Sequence, residues 1–158
     1  MELIVAVDQN WAIGREGDQL AYLREDLKRF RELTLGKTVI LGRKTLATFP
    51  GGRPLKGRNN LILSTNPGFV VEGATVVHSV AEAVAAAPAD AMVIGGASVY
   101  RALLPWCDRA HITHIHAAFP ADTWFPNLEQ DPGWRRGEPS PPIVQDGLSY
   151  CYVTYQRI

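Results

Sequence analysis

The chain has 158 residues, 46% of them hydrophobic and 20% charged, a balance that suits one globular unit with a core large enough to need no disulfide or metal staple. Sixteen Lys+Arg stand against sixteen Asp+Glu, so there is no net field to gather nucleic acid or an anionic membrane. No apolar run approaches the roughly 20 residues of a membrane helix, and the first residues lack the basic start and cleavage site of a secretory signal. Cys107 and Cys151 stand alone in the sequence, as two reduced, partly buried thiols would. The expectation is a cytoplasmic monomer with a single domain over residues 1–158.

Short Val- and Ile-rich runs at 2–7, 37–41, 60–64, 74–77 and 91–94, bounded by Gly, Pro and Asn, predict strands buried on both faces. Leu23, Leu27, Phe30 and Leu33 recur at helical spacing among Arg, Lys and Glu, which predicts an amphipathic helix over 24–34. Segment 79–87 opens with Ser79, followed three residues on by Glu82, a capping box. A further helix is expected over 98–104, ending before Pro105. This alternation of strand and helix predicts an α/β fold around a mostly parallel sheet. Beyond it, 109–117 and 149–157 read as strands, with Asp146-Gly147 as a turn before the second, so an antiparallel addition is expected at one sheet edge. The Pro-rich stretch 139–142 reads as a loop.

Two strand-to-helix junctions could hold phosphate. In the first, Thr38-Val39-Ile40-Leu41 runs into Gly42-Arg43-Lys44-Thr45; in the second, Met92-Val93-Ile94 runs into Gly95-Gly96-Ala97-Ser98-Val99-Tyr100. Glycine admits close approach of a ligand to the backbone, and a helix start offers unpaired N–H groups to an anion. The spacing G-x-G-x-x-G is absent, and each junction alone also fits a tight turn with no ligand. A third segment, Asn60-Leu61-Ile62-Leu63-Ser64-Thr65-Asn66-Pro67, ends a strand with hydroxyls and an amide that, with Arg43, suit a phosphate on a ribose as well as they suit a simple turn.

Glu25 and Asp26 fall in the first turn of the 24–34 helix, where the helix dipole favours acids. Asp26, four residues before Phe30, lies on the inward side, and a carboxylate among apolar groups needs hydrogen-bond donors such as the N–H and NH₂ of an amino-pyrimidine. On a strand, His114 and His116 share one face and His111 the other; two ligands do not make a zinc site, so no metal is expected.

Five stretches in this order resemble the dihydrofolate reductase family: AVDQNWAIG (6–14), REDLKRFRELTLGKTVILGRKT (24–45), PGGRPLKGRNNLILS (50–64), VIGGASVYRALLP (93–105) and THIHAAFPADTWFP (113–126). The resemblance implies a predominantly parallel eight-stranded sheet with an antiparallel C-terminal edge strand and about four flanking helices. It implies reduction of 7,8-dihydrofolate to tetrahydrofolate, with hydride passing from NADPH to C6 and a proton to N5. Asp26 matches the acid that holds the pterin's amino-pyrimidine edge, and Thr113 matches the hydroxyl that supports it. Ile4, Val5, Ala6, Leu27, Phe30, Phe49, Leu55, Ile94 and Tyr100 match substrate-pocket positions, and Arg58 the clamp on the glutamate α-carboxylate. On the cofactor side, Ala6, Ile13, Gly14, Ile94 and Tyr100 match positions near the nicotinamide, and Gly42, Arg43, Lys44 and Thr45 the first phosphate turn. Leu63, Ser64 and Thr65 match the adenosine 2′-phosphate site. Gly95, Gly96, Ala97, Ser98 and Val99 match the second phosphate turn, whose two glycines family members join by a cis peptide.

Residues 10–23 correspond to the loop that closes over the site, and there the chain departs from the family. Ala21 stands where Trp is usual, Gln19 where Met or Leu is, and Arg24 where Pro is; a small gap would instead set Tyr22 at the aromatic position. Residues 50–52 look slightly longer than in common bacterial members. Dihydrofolate and antifolates of the methotrexate or trimethoprim kind are the implied partners, with no nucleic acid and no membrane. Two other readings stay open: a riboflavin-pathway reductase of similar fold, and a non-catalytic nucleotide-binding or regulatory protein.

Overall fold

A computed structural model describes residues 1–158. In chain order its elements are β1 (Glu2–Val7), β2 (Ala12–Gly14), α1 (Arg24–Thr34), β3 (Thr38–Gly42), α2 (Arg43–Ala47), β4 (Asn59–Leu63), β5 (Thr75–Val77), α3 (Val80–Ala86), β6 (Met92–Gly95), α4 (Ala97–Leu103), β7 (Arg109–Ile115), β8 (Thr123–Trp124), β9 (Trp134–Arg136), β10 (Ile143–Gln145) and β11 (Leu148–Arg157). Short 3₁₀ turns cover Pro50–Gly52, Leu104–Trp106 and Leu128–Gln130. No helix is long and apolar enough to cross a membrane.

The apolar runs become the centre of one sheet, in the order β10-β11-β7-β1-β6-β3-β4-β5. Every pairing from β7 to β5 is parallel. β11 lies antiparallel to β7, with Tyr152 opposite Thr113. The antiparallel addition therefore exists but is not the rim: β10 folds back outside β11, and β9 pairs with β11 off the main path. The Asp146-Gly147 turn, both residues at positive φ (52° and 79°), makes the β10–β11 hairpin.

Side chains alternate across the pleat, which sets two cores. Leu3, Val5 and Val7 join Val93, Leu103, Ile112 and Tyr155 on one face. Ile4 joins Val39, Leu41, Ile62, Met92 and Ile94 on the other, where Phe30 and Leu33 of α1 pack with Phe49 and Leu55. The first backbone N–H of α1 has no helical acceptor; it is met from β10 by Gln145 Oε1 at 2.8 Å.

Several expectations shift in detail, most strand bounds by one residue. The strand expected over 109–117 stops at Ile115, and the helix expected over 98–104 starts and ends one residue earlier. Ser79 caps α3 by accepting from Glu82 N–H at 3.1 Å, but the Glu82 carboxylate accepts from the N–H of His78 (2.8 Å) and not of Ser79, so the box closes one residue early.

Candidate active site

In an open parallel sheet, ligands bind beyond the carboxyl ends of the strands. There the chain leaves β1, β3, β4, β6 and β7 around one cleft of about 1600 Å³. That exceeds the ~300–1,000 Å³ of a typical small-molecule pocket. Every residue matched above to a substrate or cofactor position lines its wall.

At its inner end, Thr113 Oγ1, on β7, donates to Asp26 Oδ1, on α1, at 2.5 Å. Asp26 Oδ2 makes no hydrogen bond within the protein. Burial pushes the Asp26 carboxyl above its ordinary range, against the opposing pull of the Thr113 hydrogen bond and the Arg29 cation. Ile4, Val5, Phe30, Phe49, Leu55 and Ile94 line the same cleft, and Leu27 is apolar yet 42% exposed along it. Tyr100 is buried and donates to the carbonyl of Ile4 at 2.7 Å; burial raises its phenol far above the ordinary value, so it stays protonated. The arrangement offers a free carboxylate oxygen to a flat, apolar ring with polar edge donors.

At the outer end, Arg58 is held in place by its neighbours. Its Nε donates to the carbonyl of Lys56 (2.9 Å) and its Nη1 to Thr34 Oγ1 (3.1 Å). Asn60 is buried and clamps this loop: its Nδ2 donates to the carbonyls of Leu55 (2.9 Å) and Arg58 (3.1 Å), and its Oδ1 accepts from Leu55 N–H (3.0 Å). Burial and, next, the Arg31 cation pull the Arg58 guanidinium below its usual range.

The other half of the cleft is polar. Gly42 and Gly96 stand at the starts of α2 and α4 without a side-chain cap. The two turns nearly touch: a Cβ on Gly42 would lie 3.1 Å from Val99, and one on Gly96 3.2 Å from Thr45 Oγ1, so any side chain would fill the cradle between them. The Gly95–Gly96 peptide is cis. Arg43 is exposed, its guanidinium 5.8 Å from the centre of the Phe69 ring. Ser64, Thr65, Asn66, His78 and Ser79 line the far wall, where His78 Nδ1 meets the carbonyl of Ser64 at 2.8 Å. Paired uncapped helix starts, two basic side chains and a row of hydroxyls fit a phosphorylated dinucleotide.

The 10–23 segment forms one lip. β2 pairs with β8, Glu16 N–H donates to Asp122 Oδ2 (2.9 Å), and Asp122 N–H donates to the carbonyl of Gly14 (3.1 Å). Ala21 packs against the cluster of Leu23, Ile115 and Tyr150. Tyr22 is exposed and its hydroxyl donates to Asp18 Oδ1. Both line the cleft. Pro50–Gly52 is a 3₁₀ turn with Gly51 and Gly52 at positive φ.

Sequence reasoning missed Thr34, Arg31 and His78 at the site and the clamp that Asn60 makes; Thr34 meets Arg58, 24 residues on, and His78 meets Ser64, 14 residues back. Each histidine has its own neighbour: His111 with Glu2 (2.7 Å), His114 with the Tyr155 hydroxyl (2.9 Å), and His116 with Ser149 (3.2 Å). No three His, Cys, Asp or Glu side chains stand close enough to hold a metal ion.

The sequence model of the dihydrofolate reductase family matches residues 1–157. The chain is 38% identical to dihydrofolate reductase type 3 of Salmonella typhimurium, over 99% of this chain and 98% of that protein. It is 36% identical to the dihydrofolate reductase of Bacillus subtilis, over 99% and 94%. Its fold matches the structure of the Enterococcus faecalis dihydrofolate reductase complexed with NADP(H) and RAB-propyl at a TM-score of 0.88, with 37% identity and coverage of 99% and 95%. Sequence and fold agree over nearly the full length, with the inward acid and both glycine turns on one cleft, and the chain belongs to the dihydrofolate reductase family.

Proposed function

We propose that the cleft reduces 7,8-dihydrofolate to 5,6,7,8-tetrahydrofolate with NADPH, and that Asp26, supported by Thr113, is the residue on which the reaction turns. The observation that carries this reading is the Thr113–Asp26 pair: a carboxylate with one oxygen held and the other free, facing an apolar slot beside a phosphate cradle. The free oxygen accepts from the pterin's N–H and NH₂ edge, and Leu27, Phe30 and Phe49 sandwich the ring. A carboxylate so placed favours the N5-protonated pterin, because it stabilises positive charge on the adjoining ring. NADPH, when bound, supplies the hydride that C6 accepts. Ala6, Ile13, Gly14, Ile94 and Tyr100 orient the nicotinamide end; Arg43–Thr45, Ser64, Thr65 and Gly95–Val99 hold the phosphates. The lip over 10–23 excludes water from the reacting carbons. The family match and the pairing of Asp26 with Arg58 favour neither the riboflavin-pathway nor the regulatory alternative.

The same slot accepts diaminopyrimidine antifolates of the methotrexate or trimethoprim kind. The reading also includes a single domain over 1–158, working as a monomer in the cytoplasm. Mixing the protein with NADPH and dihydrofolate tests the activity: loss of the reduced-nicotinamide absorbance, dependent on both and blocked by methotrexate, is the expected result, and a flat trace would overturn it.

Arg43 is the residue assigned to the cofactor's 2′-phosphate. Arg43→Ala is expected to weaken NADPH by about 1 kcal/mol, near fivefold, since the contact is solvent-exposed. NADH, which lacks that phosphate, should bind both proteins alike. Fluorescence titration checks this; an equal loss for both nucleotides would mean that Arg43 reads something they share.

A further inference from the structure

We propose that Arg29, behind the cleft wall, is the positioning residue and counter-charge that keeps Asp26 ionised; this deepens the reading above and rests on it for its link to turnover. Arg29 lies one turn after Asp26 on α1, on the same inward side. The two side chains meet two strand residues that stand directly opposite one another, Thr113 on β7 and Tyr152 on β11, and so share a face of the sheet. Asp26 takes Thr113. Arg29 takes Tyr152, with its guanidinium carbon 3.9 Å from the ring centre.

The placement leaves the cation few alternatives. Arg29 Nη1 is buried and has no hydrogen-bond acceptor, and no carboxylate lies within 4.0 Å of the guanidinium: the ion pairs of the fold are His111–Glu2 and Arg136–Glu129. A guanidinium keeps its charge even when burial lowers its affinity for the proton, as it does here. Its charge acts on Asp26 and on His111, in opposite senses: it favours the ionised carboxyl and disfavours protonation of the imidazole.

The groups facing Asp26 otherwise push the other way or carry no charge. Thr113 supplies a neutral donor from β7; Tyr100 from α4, and Tyr150 and Tyr152 from β11, are phenols held protonated by burial. Glu25, on α1, is a like charge but exposed. Arg29 is thus the cation that offsets the desolvation of Asp26. Because Arg29 is not on the cleft wall, it touches neither substrate nor cofactor.

The test is the titration of the Asp26 carboxyl by ¹³C NMR in ligand-free protein, compared among the wild type, Arg29→Met and Arg29→Lys. The Met variant keeps bulk over Tyr152 and removes charge; its Asp26 midpoint should rise by roughly one pH unit, the low end for an opposite charge beyond direct contact. The Lys variant should restore it. The pH profile of dihydrofolate reduction should move by the same amount. Coincident curves for Met and wild type overturn the proposal, as does an equal rise in Met and Lys, which would make packing rather than charge the cause. Should Arg29→Met fail to fold, Arg29→Gln makes the same comparison. The titration needs no turnover, so it stands apart from any failure of the dihydrofolate reading.

Discussion

Asp26→Asn is expected to lower kcat for dihydrofolate by about 10²–10⁴-fold at neutral pH, the range for a positioned proton-handling group, while NADPH binding holds and the protein melts a few degrees higher. The two halves of this result share one cause. Burial sets the Asp26 carboxyl above its unfolded value near 3.8, so between the two values the native chain binds the proton more tightly than the unfolded chain does. Stability therefore falls as pH rises through that window, and at neutral pH the whole penalty is present. Asparagine keeps an oxygen for the Thr113 hydroxyl, which donates at 2.5 Å, and carries no charge to desolvate. The gap in Tm between the two proteins should close as pH drops below the folded-state value, since the wild type is then neutral as well. Stopped-flow or steady-state turnover with melts across pH checks both halves. An Asn variant that melts lower than the wild type at neutral pH would show that the carboxylate is stabilised where it sits, and unchanged turnover would remove Asp26 from the mechanism.

Helical and strand periods mark which side of an element faces inward, but Asp26 and the glycine junctions also fitted plain structural roles, and it was the resemblance to the family that made them a site. The helix expected over 24–34 from Leu23, Leu27, Phe30 and Leu33 matches α1, and that period also turns Asp26 inward. The two glycine junctions were visible as strand–Gly–helix patterns, but their approach to one another depends on β6 lying beside β3, which is a matter of topology. Residues whose role is set by how the chain turns back on itself left no periodic mark. Asn60 reads as a strand-opening polar residue; Leu55 and Arg58 are near it in sequence, but only the folded loop turns their backbone groups onto its amide. Arg29 reads as part of a solvated helix face, because a long basic side chain among Lys and Glu is what such a face contains; its stack on Tyr152 requires β11 to return beside β7. Three-residue strands such as β9 and β10 carry too little alternation to be seen, which is why β11 was expected at the sheet edge.

Arg58→Ala should weaken dihydrofolate by ~1.5–3 kcal/mol, roughly 10- to 150-fold, the worth of a charge-assisted hydrogen bond to a carboxylate. The site makes this guanidinium rigid before any ligand arrives: Nε is fixed to the Lys56 carbonyl and Nη1 to Thr34 Oγ1, and Asn60 pins the loop beneath. A fixed fork loses little side-chain freedom on binding, so most of its attraction appears as affinity. Because a glutamate carboxylate held there would be remote from C6 and N5, the loss should fall on KM with kcat nearly unchanged. Thr34→Val removes one tether and keeps the shape, so it should reproduce part of the loss with Arg58 still present. Pteroate, which has the pterin and benzoyl rings but no glutamate, separates this from a general loosening of the pocket. It should bind wild type, Arg58→Ala and Thr34→Val alike. If pteroate loses as much as dihydrofolate does, Arg58 supports the pocket wall through Leu55 and Asn60, and the glutamate tail must be held elsewhere, with Arg31 and Lys56 the other cations on that part of the cleft.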